Sequence, residues 1–89
     1  MKREQLLADY IEHLWDKGFK LTDEQVKFIY FARQYADNDA LSCIALEATL
    51  KTQIEFDGSF FIGLIELLNE HDIKTISQAR SVFKQKGIG

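Results

Sequence analysis

The side chains able to do chemistry in this chain are few and scattered. His71 stands between Glu70 and Asp72, and the other histidine is His13. A His-Asp pair occurs in some metal hydrolases, but such a centre takes three or four ligands. Two histidines and one cysteine supply too few, so neither a metal nor a cofactor is expected. Cys43 lies between Leu41 and Ile44 with no basic neighbour in sequence to favour its thiolate, and it reads as a buried, inert thiol. Glu66 and Glu70 are one helical turn apart. General acid–base work would need a polar cleft around them, and they read instead as a solvated stripe on an apolar segment. There is no phosphate-cradling glycine loop and no serine nucleophile elbow. The expectation is a protein without catalytic residues, not an enzyme.

Two groups of residues remain that can bind. Charge is unevenly spread: residues 1–36 are balanced, residues 37–72 carry a net −7, and residues 73–89 carry +4. The basic end consists of Lys74, Arg80, Lys84 and Lys86 without an acid among them. Lys84 and Lys86 complement the dipole at a helix C-terminus, and the whole group can pack on the acidic middle of the same chain. The same four cations are candidate phosphate contacts, or contacts to an acidic protein. Four charges neutralise only a few phosphates, so nucleic-acid affinity would be weak and would fall steeply with salt. The second group is Phe28, Tyr30, Phe31 and Tyr35, which cannot all point into one core from one helix. Either other helices surround that helix, or part of the set forms an apolar patch for a protein partner or a second copy.

Five helical segments position these groups. Leu6, Leu7, Tyr10, Ile11, Leu14 and Trp15 recur with a helical period between about Glu4 and Lys17, and Gly18 suits the position just past the end. Thr22-Asp23-Glu24-Gln25 is a capping box that opens a second helix, to about Ala36. Asn38 or Asp39 can cap a third, Ala40 to Gln53. Asp57 and Ser59 can cap a fourth, Ser59 to Glu70, whose polar stripe is only Gly63, Glu66 and Glu70. Thr75-Ile76-Ser77-Gln78 is a second capping box, and Gly87 closes the fifth helix. No stretch alternates cleanly as a strand would. The second and fourth helices are apolar nearly all round, so they are expected innermost.

The predicted fold is therefore all-α, a compact single-domain bundle of five short helices over residues 1–89. The composition agrees: 46% hydrophobic, 28% charged, seven Phe and no Pro describe an ordered globule of one domain. Asp9, Glu12 and Asp16 interrupt the apolar residues that follow the basic start, so no export signal is expected. The longest nearly apolar run, Phe60 to Leu68, falls short of the ~20 residues of a membrane span. With a single cysteine, a reducing cytoplasm is the expected compartment.

The second half resembles the helical domain shared by the DnaD and DnaB-type replication-initiation proteins of Gram-positive bacteria and their phages. In that family an Ala-Leu-containing helix leads, after a loop, into Tyr-Ile-x-x-Ile-Leu-x-x-Trp, and a segment like Gly-Ile-x-Thr starts the last helix. Here Ala45-Leu46-Glu47-Ala48 falls in the leading helix. Phe60 stands for the Tyr, Leu64 and Ile65 for Ile-Leu, Leu68 for the Trp, and Asp72-Ile73-Lys74-Thr75 for the last segment. The resemblance implies a replication accessory module that contacts protein and, through Lys74, Arg80, Lys84 and Lys86, weakly binds single-stranded DNA. The residues alone equally suggest a homo-oligomeric or adaptor domain with no nucleic-acid role, engaging its partner through Phe28, Tyr30, Phe31 and Tyr35.

Overall fold

A computed structural model describes residues 3–88. The five expected helices are all present: α1 (Arg3–Asp16), α2 (Asp23–Ala32), α3 (Asp39–Gln53), α4 (Gly58–Glu70) and α5 (Ile76–Gln85). No strand occurs among the described residues. The Cα radius of gyration is 12.0 Å, close to the ~12 Å expected of one compact domain of this length.

The helix ends follow from local chemistry. Both capping boxes form: the Gln25 amide donates to Thr22 Oγ1 at 3.1 Å while the Thr22 amide donates to Gln25 Oε1 at 2.9 Å. Thr75 and Gln78 repeat the pattern at α5. Asn38, rather than Asp39, caps α3, accepting from the Leu41 amide at 3.0 Å. Its own amide group donates to the Lys74 carbonyl at 3.1 Å and so ties the start of α3 to the α4–α5 link. Helices α1, α4 and α5 end in the same paired hydrogen bonds, with Gly18, Asp72 and Gly87 in the left-handed conformation. At α3 that position is held by Ile54, at φ 73°.

Helix α2 is shorter than its sequence suggests. It gives way to a 3₁₀ turn, Arg33–Tyr35, where the chain turns towards α3. Two tertiary bonds fix the turn: Arg33 reaches forward to Asp39 at 2.7 Å, and Asn69 Nδ2 donates to the Tyr35 carbonyl at 2.7 Å. Asp39 is 5% exposed, so this ion pair sits largely out of water.

The expected placement of the second and fourth helices at the centre is corrected. Helix α3 is the central element: it packs against α1, α4 and α5, whereas α2 packs mainly on α4 and buries only Ile29 and Ala32. The reason is side-chain size. Ser42, Ala45, Ala48 and Thr49 are all buried in α3, and short side chains let three neighbouring helices approach one axis. Helix α4 is richer in large apolar residues but buries one side of itself, through Phe61, Leu64, Ile65 and Leu68.

Candidate functional site: a groove along helix α3

Helices α1 and α5 flank α3, and between them one stripe of α3 stays open. Ala40, Cys43, Glu47 and Lys51 follow one another at spacings of three and four, so they share that face. The groove above them has two adjoining lobes. One, about 390 Å³, lies over the first half of α3 beside Tyr10, Cys43 and Ile76. The other, about 700 Å³, lies over the second half beside Lys51, Phe83, Lys84 and Ile88. Ile44, Glu47 and Arg80 border both. From Ala40 to Lys51 the floor extends about 16 Å, or three helical turns.

The groove is apolar below and charged at its edges. Ile44 and Ala48 contribute the floor, with Phe83 from α5. Asp9 stands on the α1 wall, and Arg80 and Lys84 on the α5 wall. Glu47 and Lys51 meet at 3.9 Å on α3 itself. Arg80 and Lys84 are exposed, and neither belongs to an ion pair within 4 Å among the described residues. Partial burial, and then the nearby Asp39 charge, raise the Cys43 thiol from 9.0 to about 11. Burial first, and then Glu47, push the Tyr10 hydroxyl well above its ordinary range. Both groups are therefore neutral at physiological pH and present apolar or hydrogen-bonding surface.

The four expected cations do not form one patch. Arg80 and Lys84 face the groove, but Lys74 contacts Asp37 at 2.6 Å and Asp72 at 3.2 Å on the α4–α5 link. Those two hydrogen bonds, Asp37's first, hold the Lys74 ammonium above its usual pKa. Lys86 is exposed at the α5 C-cap.

The four expected aromatic contacts also divide. The Phe28 ring lies against the backbone of Gly58, where a Cβ would meet it at 3.0 Å, and stacks edge-on to Phe56 at 5.9 Å. Tyr30 packs on the core with the Arg33 guanidinium over its ring at 5.6 Å. Phe31 and Tyr35 remain 55% and 51% exposed and stack edge to face at 5.7 Å. They make a small aromatic ridge beside the 3₁₀ turn. Sequence reasoning did not single out the α3 stripe, since its members are one alanine, one cysteine and two oppositely charged residues. Its signal was the spacing of three and four residues that places Ala40, Cys43, Glu47 and Lys51 on one face of a helix otherwise rich in apolar residues.

Among the described residues no three of His, Cys, Asp and Glu converge as a metal-ligand set would, and no helix is long and apolar enough to cross a membrane. Fold and groove define a small all-helical domain with a concave face that has an apolar floor and charged edges. A family of unknown function, DUF6123, matches residues 1–88, and the chain belongs to it. No curated protein and no solved structure matches the chain significantly.

Proposed function

We propose that the chain is a non-enzymatic interaction module that seats a segment of a protein partner in the groove along α3. The observation that carries this reading is the open stripe on the central helix. Up to Leu50 every α3 residue off the stripe is buried, with α1, α4 and α5 packed around the helix, and the stripe is bordered by two lobes large enough for side chains. Grooves of this kind between helices are where amphipathic helices dock. The test is an amide-shift titration of the isotope-labelled chain with designed amphipathic helices of about fourteen residues, differing in flanking charge. At least one should shift amides of residues 40–51 and 76–88 saturably. Absence of shifts from all of them at millimolar concentration would overturn the reading.

A second reading draws on the DnaD-like resemblance and on the unpaired state of Arg80 and Lys84. In it, α5 touches the phosphates of single-stranded DNA. Lys74, held by two carboxylates, contributes little, and the contact is small and salt-sensitive. Anisotropy of a labelled oligonucleotide, with a K84E/K86E variant beside the native chain, tests it. Binding that survives the reversal unchanged would contradict it.

A further inference from the structure

We infer that the occupant of the α3 groove is an acidic amphipathic helix of a partner protein, about three turns long, whose carboxylates face Arg80 and Lys84. The inference rests on the groove being an interaction site and adds the chemistry of what fills it.

Three features select this occupant. The first is backbone supply. The groove is lined by residues of α1, α3 and α5 and, at the end of the larger lobe, by Gly87 and Ile88 just past α5, so an extended peptide would find no strand edge to pair with. A helical occupant satisfies its own backbone and needs only side-chain contacts. The second is length: the open stripe from Ala40 to Lys51 runs about three turns. The third is charge. On α3, Glu47 and Lys51 compensate each other at 3.9 Å. That leaves Arg80 and Lys84, one turn apart on α5, unpaired along the wall of the larger lobe. An apolar stripe flanked by Asp or Glu on one side meets Ile44, Ala48 and Phe83 below and these two cations beside it. Asp9 on the opposite wall disfavours a second row of acids there, so the acidic flank belongs on the α5 side.

A nucleic acid fits less well. Its backbone would place charge over an apolar floor and beside Asp9 and Glu47, with only two unpaired cations in return. A second copy matches less well: the exposed stripe of α4, with Gly63, Glu66 and Glu70, is acidic but has no large apolar residue, and the exposed acids of α1, Asp9, Glu12 and Asp16, accompany a single exposed large apolar side chain, Trp15.

The experiment uses the full chain and four fluorescent probes. Three are fourteen-residue amphipathic helices with the same apolar stripe and Glu, Gln or Lys flanks, and the fourth is a single-stranded oligonucleotide. Affinities are measured by anisotropy at low and moderate salt for the native chain and for R80E/K84E. Circular dichroism verifies that the variant folds, as two exposed positions should allow. The Glu-flanked helix should bind about tenfold tighter than its Gln twin at low salt, the gap should narrow with salt, and R80E/K84E should transfer the preference to the Lys-flanked helix. Equal affinity for all three helices, unaltered by the reversal, overturns the acidic assignment but leaves the groove as a helix-docking site. Binding of no helix at all overturns both. An oligonucleotide that outcompetes the Glu-flanked helix assigns the groove to nucleic acid instead. A dimer in light scattering that R80E/K84E dissociates assigns it to a second copy.

Discussion

Ile54 is the residue whose backbone most departs from what its side chain prefers. It ends α3 at φ 73°, a β-branched residue where α1 and α5 place glycine, and it is 76% exposed. A left-handed conformation costs an L-residue roughly 1–2 kcal/mol, and so little of Ile54 is buried that packing returns almost none of it. Ile54→Gly should therefore stabilise the chain by about 0.5–1 kcal/mol, after the extra chain entropy of glycine is subtracted. A thermal melt would show a rise of several degrees; an unchanged or lower midpoint would mean that Ile54 packs more than its exposure indicates. Cys43 makes a separate prediction. With its thiol raised to about 11, chiefly by burial, the thiolate is scarce at pH 8. Alkylation there should be about a hundredfold slower than for a thiol at the ordinary value, and should accelerate towards pH 11. The linkage has a definite sign. The native state holds this proton more tightly than the unfolded chain, so the contribution to stability is complete below about pH 9 and declines as pH rises through 11.

At the scale of elements, the caps were legible and the hierarchy of burial was not. Thr22, Thr75, Asn38 and Asp57 begin helices where their side-chain oxygens can accept the first free amides, a matter of three or four adjacent residues. Which helix lies at the centre depends on how closely neighbours approach, and this is governed by small residues that carry a weak hydrophobic signal. Ala45, Ala48 and Ser42 made α3 look less buried than α4, when they are what allows α1, α4 and α5 to converge on it. For the same reason the open stripe of α3 carries little sequence signal, whereas Phe28, Tyr30, Phe31 and Tyr35 stand out as a surface. Half of that cluster, Phe28 and Tyr30, turned out to be packed. The centrality of α3 is testable. Leu46→Ala removes a fully buried side chain and should cost about 3–5 kcal/mol in a urea melt. Phe31→Ala, on the exposed ridge, should change stability by less than about 1 kcal/mol. Similar losses from the two would contradict the assignment of α3 as the core.

The whole molecule combines a modest core with an uneven charge distribution. A domain of this size has a stability of order 5–10 kcal/mol, so a large loss at α3 would leave it partly unfolded, whereas exposed positions on α5 can be altered freely. The net −7 of residues 37–72 and the +4 of residues 73–89 are brought together in the fold, but only in part neutralised. Lys74 meets Asp37 and Asp72, while Arg80 and Lys84 stay unpaired over the groove. That residual charge, on the wall of an apolar channel along the central helix, is the basis for reading this member of DUF6123 as a docking module for an acidic helix. The most direct measurement places a nitroxide on the Glu-flanked helix and reads paramagnetic broadening of amide signals across the labelled chain. Broadening concentrated on residues 40–51 and 76–84, with Phe31 and Tyr35 left sharp, is the predicted result. Broadening centred on Phe31 and Tyr35, or spread evenly over the surface, would contradict it.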